Sequence, residues 1–498
     1  MWEKIYYQSE PLAGKRPSVV AYSLCQQLNT FHNERPLPLR LRKADLRQRV
    51  KGNLELRFVR TGLTSYAGLE LVRRYWHTLG LVARLRRHLE GRVPATDFGV
   101  VPMILLLLGL VLCGGGRRLR HVLYLAGDPL VLRLCGLRRL PTPHTIGRWL
   151  RQFRHRHLEV VRQLNAELAA EAIRRMGLRR LTIDVDGSVV STGQRVQWAQ
   201  RGFNPHHRKV PSYYPITAYE AQSGQLLRVE NRPGNVHDGK ASVGFLRALF
   251  AQLAATLGAG YTLEFRMDGA FFRRDVLQLL HARGVEYAVK VPFYPWVGLK
   301  QRVQATRAWT SVDDTVSCCE QRVAVAQWGR VFRVVVYRKR VQHWTHKNFQ
   351  LDLFDPSDGH YEYSAVVTNK AVTGRTLWYF MCGRGAHEKA YAELKTGFAF
   401  DCVPTMRYAA NSFWQLLSVL AFNLMRGFQA VTTAARRAPT RKRRSVHRFE
   451  AIQTLRYQYL QRAGLVLYPD GHPTLDVGAA AAVKRRFRYV EQQLTKAA

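Results

Sequence analysis

The hydrophobic period of the chain changes near Arg180, and that change restricts the fold more than any other feature of the sequence. From about residue 65 to 176 apolar residues recur at helical spacing; beyond Arg180 short β-branched and aromatic runs alternate with turn residues. Residues 181–190 read as a strand, and SYYPITAYE, the turn AQSG and QLLRVENRPGN read as a hairpin. A helix follows from about Gly239 to Thr256, with Val243, Leu246, Leu249, Phe250 and Leu253 on one face. YTLEFRMDGAFF gives a strand ending in Asp268, RRDVLQLLHARG a helix ending at Gly284, and VEYAVKV another strand. Three strands, helix, strand, helix, strand is an α/β order with an antiparallel start.

Within the first strand, LTIDVDGSVV places Asp184 and Asp186 two residues apart. Alternate residues of a strand share a face, so both carboxylates point the same way. Three readings are open on these residues alone. A haloacid-dehalogenase-like phosphatase uses the first aspartate of such a loop as nucleophile. An RNase H-like nuclease or transposase uses a strand aspartate to hold metal. Asp-Gly also closes ordinary tight turns.

Charge narrows the choice. The sequence carries 77 Lys+Arg against 35 Asp+Glu, a formal charge of +42, which points to a polyanion partner, nucleic acid above all. Between Gly114 and Arg180 there are 15 arginines and four acids, 15 − 4 = +11. PTPHTIGRWLRQF is a helix start in which Thr145 can cap, and Ile146, Trp149, Leu150 and Phe153 form one apolar stripe. Such a stripe is usually core; the same helix could enter DNA through Arg148 and Arg151. The apolar run Phe98–Leu112 is about 15 residues, interrupted by Pro102, against the ~20 a membrane span needs, so a buried helix and no membrane partner are expected. Seven cysteines, with no metal-site spacing, read as reduced cytosolic thiols.

A two-metal phosphoryl-transfer site needs oxygen ligands from two or three carboxylates. Asp186 and Asp268 sit at strand ends 82 residues apart, which suits neighbouring strands. In GRGAHEKAYAELK, Arg384, Glu388, Tyr391 and Lys395 fall on one helical face, where Glu388 could ligate metal while the cations hold DNA phosphates. A solvated face with i,i+4 ion pairs is the ordinary alternative.

The R-x3-E-x6-K spacing of Arg384, Glu388 and Lys395 resembles the signature around the catalytic glutamate of DDE transposases of bacterial insertion sequences, in the group with a β-rich insertion between the second Asp and the Glu. DVDGSVV, RPGNVHDG, RMDGAFF and RYAANSFWQLLSVLAFNLMRGF agree, over about residues 120 to 430. Two positions depart from the pattern: Met381 stands where a tyrosine is usual, with Tyr379 nearby, and Gly187-Ser188 replaces a common Ser-Thr. The resemblance implies an RNase H-like mixed sheet with flanking helices, an all-β insertion and an N-terminal helical domain. Its implied divisions are a basic segment (1–64), a helical DNA-binding domain (65–176), the first part of the core (177–290), the insertion (291–376), the rest of the core (377–431) and a basic C-terminal region (432–498).

The resemblance further implies catalysis and metal binding by Asp186, Asp268 and Glu388, with Asp184 auxiliary and Arg384, Tyr391, Lys395, Arg148 and Arg151 on DNA. Two Mg²⁺ ions, replaceable by Mn²⁺, would serve hydrolytic nicking and 3′-OH strand transfer. The partners implied are double-stranded DNA, as terminal inverted repeats and target, and a second copy of the chain in a synaptic homodimer; the location is cytoplasmic, at the bacterial nucleoid. Two alternatives stand beside it: a non-catalytic DNA-binding protein derived from a transposase, and a haloacid-dehalogenase-like phosphatase, which would need a downstream lysine and an acidic pair such as Asp313-Asp314.

Overall fold

The computed structural model describes residues 62–193, 195–202, 209–239, 241–342, 360–478 and 480–497. The basic segment expected at the N-terminus lies outside the described residues as far as residue 61, as does Cys25.

Nine strands form one mixed sheet: β1 (Arg180–Gly187), β2 (Ile216–Glu220), β3 (Gln225–Glu230), β4 (Thr262–Met267), β5 (Glu286–Val291), β6 (Thr310–Ser311), β7 (Val316–Val325), β8 (Arg330–Arg340) and β9 (Tyr361–Thr368). Their spatial order is β3-β2-β1-β4-β5-β9-β8-β7-β6. The β1–β2 and β2–β3 pairs are antiparallel, whereas β1–β4 and β4–β5 are parallel. Those first five strands have the RNase H-like arrangement. The β-rich tract does not build a separate sheet. Its strand β9 pairs antiparallel with β5, and β8, β7 and β6 carry the same sheet outward.

β1 shows why the alternation works. Leu181, Ile183 and Val185 are fully buried against the Ser242–Leu257 and Arg274–Ala282 helices, through Phe245, Leu246, Leu249, Val276 and Leu280. Each such side chain contributes about 1.5–3 kcal/mol by leaving water. Thr182, Asp184 and Asp186 face the opposite side, which is polar and lies under the helices that follow β9. The strand stops at Gly187, earlier than the expected 190; Val190–Ser191 pairs separately with Ser212–Tyr213. The next helix begins at Ser242 rather than near Gly239, because Ala241 before it adopts φ 65°.

The sheet's β3 edge is covered rather than left open. Asn423, on the Tyr408–Val431 helix, accepts from the Leu226 amide and donates to the Leu226 carbonyl, both at 2.9 Å, and so imitates a neighbouring strand. That helix is buried almost throughout its length, and its polar residues Asn411, Ser412, Ser418 and Asn423 are hydrogen-bonded there.

Six helices span residues 69 to 175: Leu69–Thr78, Leu81–Leu89, Val100–Gly114, Pro129–Cys135, Pro143–Leu150 and Arg156–Arg175. The Pro143–Leu150 helix starts earlier than Thr145: Thr142 is its cap and accepts from the Thr145 amide, since Pro143 at the first position needs no partner. Its apolar stripe is core, with Phe153 stacked on Phe413 at 4.0 Å and Trp149 edge-on to the same ring at 5.8 Å. The Val100–Gly114 helix is buried as well. Among the described residues no single helix is long and apolar enough to cross a membrane; this one passes such a test only together with Leu119–Leu125, which bends from it by 81°. Arg456 closes its C-terminal end, donating to the Val111 and Leu112 carbonyls at 2.7 Å. The six described cysteines are free.

Candidate active site

Asp186 is the last residue but one of β1, and Asp268 follows directly on the end of β4, its parallel neighbour. Val185 of β1 is register partner to Met267 of β4, so the next residue on each strand stands beside the other. Asp268 leaves the sheet by capping a short turn, its Oδ1 accepting from the Ala270 amide at 3.0 Å. Asp186 keeps its extended course because Gly187 follows. A Cβ there would lie 2.3 Å from Asp238 Oδ1 and 2.4 Å from Tyr214 Cε1. The glycine therefore serves close approach, not a turn.

Across this strand end lie two helices, Gly374–Cys382 and Gly385–Phe398, where the sequence suggests one continuous helical tract. They meet at Gly383-Arg384. Arg384, at the N-cap of the second, donates to Asp186 Oδ2 at 2.9 Å and is buried. Two turns further, Tyr391 donates to the Asp186 carbonyl at 3.0 Å and receives the Thr217 hydroxyl at 2.7 Å. His387 shares Thr217 Oγ1 at 2.8 Å and stacks between Tyr219 and Tyr391, at 5.3 and 4.8 Å.

The carboxylates are electrostatically crowded. Burial pushes Asp186 up to about 7; Arg384 opposes this, and Asp268 and Asp238 add to it. Asp268 is raised as well, first by burial and then by Asp238, with Arg384 and Lys290 opposing. Burial, helped by Arg384 and Arg266, drives His387 down to about 3, so the ring is neutral. Lys395 is lowered by burial.

Each residue read from the sequence has a definite place. Asp186, Asp268 and Arg384 come together. Glu388 is in the first turn of the Gly385–Phe398 helix, with its side chain exposed. Among the described residues no three His, Cys, Asp or Glu side chains stand close enough to hold a metal ion. Tyr391 and Arg384, assigned by spacing to a DNA-facing stripe, are turned inward onto Asp186, while Lys395 is half-buried. Arg148 and Arg151 are exposed. Asp184 is fully buried and held by Arg266 through both oxygens, at 2.6 and 2.7 Å. A carboxylate so enclosed cannot attack a phosphate, which removes the basis of the phosphatase reading. Its proposed acidic pair, Asp313-Asp314, leads into β7 of the extended sheet, and Asp313 accepts from the Thr315 and Val316 amides.

Sequence reasoning did not single out Asp238, Tyr214, Arg232, Thr217 or His387. Asp238 accepts from the Tyr214 hydroxyl at 2.8 Å and from Arg232 at 2.6 Å. Its only signal was membership of the RPGNVHDG turn. Thr217 was findable only through register, as the partner of Asp186 on β2.

The donor chemistry at this place suits a hard divalent cation. Asp268 raises Asp186 and Asp238 raises both, so a cation beside these carboxylates would relieve the repulsion. A family model described as "Transposase DDE domain group 1" matches residues 47–498. No curated protein sequence matches the chain. Among solved structures the chain is similar to a piggyBac transposase, seen by cryo-electron microscopy in a synaptic complex with hairpin DNA. The identity is 9%, the TM-score 0.42, and the match covers 87% of this chain and 85% of that one.

Proposed function

Because the chain belongs to the group 1 DDE-domain transposases, we propose that it is an active one, which cuts the ends of an insertion element and joins them to target DNA. The observation that carries this reading is the placement of Asp186 and Asp268 side by side at parallel strand ends, under a helix that brings Arg384 onto Asp186 and Glu388 one turn beyond. Asp186, Asp268 and Glu388 would hold two Mg²⁺ ions, or Mn²⁺ in their place, which when bound would activate the attacking oxygen and stabilise the leaving one. Arg384 offsets the repulsion between the two aspartates. Tyr391 and Thr217 fix the Asp186 backbone, and the His387–Tyr219 stack keeps water from the polar face beneath them.

DNA would meet the exposed arginines of the helical region, among them Arg148 and Arg151, with Lys395 in the last turn of the catalytic helix. Their charge favours duplex DNA through counterion release. Two copies of the chain would pair two element ends before cutting, which restrains a highly charged nuclease from acting wherever it binds.

Purified protein, Mg²⁺ and end-bearing duplex DNA test this. Nicks confined to the element ends are expected, and alanine at Asp186, Asp268 or Glu388 abolishes them while DNA binding persists. Cleavage that survives Asp186→Ala would overturn the assignment. The second reading, a DNA-binding protein without catalysis, draws on two observations: Arg384 occupies an Asp186 oxygen, and among the described residues no three acidic side chains converge. End-specific binding with no cleavage at any divalent concentration would favour it.

A further inference from the structure

Arg266, the partner of Asp184, lies beneath the site, and its surroundings join β1, β4 and the helix that leads into the one carrying Glu388. Asp184 and Arg266 are register partners on β1 and β4, two residues before Asp186 and Asp268 respectively. Both are buried, and the guanidinium grips Asp184 through Nε at 2.6 Å and Nη2 at 2.7 Å. The remaining nitrogen, Nη1, donates to the Phe380 carbonyl at 2.8 Å, in the last turn of the Gly374–Cys382 helix. The guanidinium also sits over the Phe380 ring, 5.1 Å from its centre.

Gly383 completes the arrangement. A Cβ at this position would lie 2.2 Å from Arg266 Nη1 and 2.5 Å from the Lys442 carbonyl oxygen. The chain can therefore pass over the guanidinium only without a side chain. The next residue is Arg384, whose own guanidinium reaches Asp186. A rigid planar fork suits this task, since it holds a carboxylate and a carbonyl in fixed relation, which a lysine cannot do.

We propose that Arg266 is the positioning residue of the active site: through Asp184, the Phe380 carbonyl and the close approach of Gly383 it sets where the Gly385–Phe398 helix begins over β1 and β4. This rests on the transposase reading for the function of the acids, but not for the mechanical claim. Two variants separate the possibilities. Arg266→Lys keeps the charge opposite Asp184 but loses the fork, and touches nothing else at Gly383; Gly383→Ala keeps Arg266 and Asp184 but pushes the chain off both the guanidinium and the Lys442 carbonyl.

The test uses the full-length protein. Hydrogen exchange is followed for residues 384–391 and for the Tyr408–Val431 helix as an internal control, and Mn²⁺ binding is titrated by electron paramagnetic resonance. In both variants, amides 384–391 should exchange at least tenfold faster while the control helix is unchanged, and half-saturation with Mn²⁺ should need at least tenfold more metal. A general loss of stability would instead speed exchange in both segments, and that outcome overturns the proposal. So does wild-type exchange at 384–391 in the two variants. If the wild-type chain binds no Mn²⁺ but the local exchange difference is present, positioning stands and the metal-dependent reading fails.

Discussion

Arg384 and Asp186 are 198 residues apart in sequence, and the guanidinium of the first donates to Oδ2 of the second at 2.9 Å. The start of the helix that carries Glu388 is thereby anchored to the strand that carries the first aspartate. The contact offsets negative charge where two carboxylates crowd each other, and it is largely shielded from solvent, so it is worth more than a surface ion pair. Arg384→Ala should lower end cleavage about 100-fold, the scale of removing one preorganised charged group at a reacting centre. Arg384→Lys should recover part of that. Rates measured at saturating DNA and metal decide it, and an unchanged rate in the alanine variant would assign the contact to folding alone.

Gly187→Ala inserts a methyl where Asp238 and Tyr214 already stand at 2.3 and 2.4 Å. Overpacking of this kind costs about 1–3 kcal/mol. Urea unfolding should report that loss, together with cleavage reduced more than tenfold and unchanged binding to end-bearing DNA. Wild-type cleavage would mean that the strand end relaxes without moving Asp186.

His387 gives a pH signature in stability. Its folded value, about 3, lies below the ordinary 6.5, because burial and the nearby Arg384 and Arg266 disfavour the imidazolium. The unfolded chain therefore takes up the proton first. This group's contribution is fully present above pH 6.5 and is lost as pH falls from there towards 3. From neutral pH and above down to pH 5 the loss is about 2 kcal/mol, most of it below pH 6.5. His387→Phe keeps the ring stack but cannot be protonated, so its stability should fall less over that interval by about the same amount. Parallel slopes for the two proteins in denaturant titrations would contradict it.

Arg148 and Arg151 extend from a helix whose apolar stripe is committed to the core, so only its polar face is available to DNA. Alanine at either should reduce the slope of log affinity against log salt by about 1 and leave the melting temperature within a degree or two. If the double variant binds end-bearing DNA with the wild-type slope, recognition lies elsewhere, and the exposed basic run 436–445 is the next surface to test.

The sequence by itself determined the succession of strands and helices after Arg180, since side-chain periods of 2 and 3.6 residues are local properties and each element here has one apolar face. The hairpin turn after Glu220, the strand ending before Asp268 and the long buried helix near 411–431 were legible for that reason. Ends were less so: Thr142 caps where Thr145 could have, and a helical tract breaks at Gly383, because capping and close approach depend on what lies opposite. That two aspartates could share a strand face was also visible. What each does was not. Asp184 and Asp186 point the same way, yet one is enclosed by Arg266 and the other meets Arg384, and only the pairing register of β1 with β4 and the passage of the chain over Gly383 distinguish them. Such contacts join residues 82 to 198 positions apart, where no local spacing can specify a partner; only the packing of the sheet beneath the two helices does.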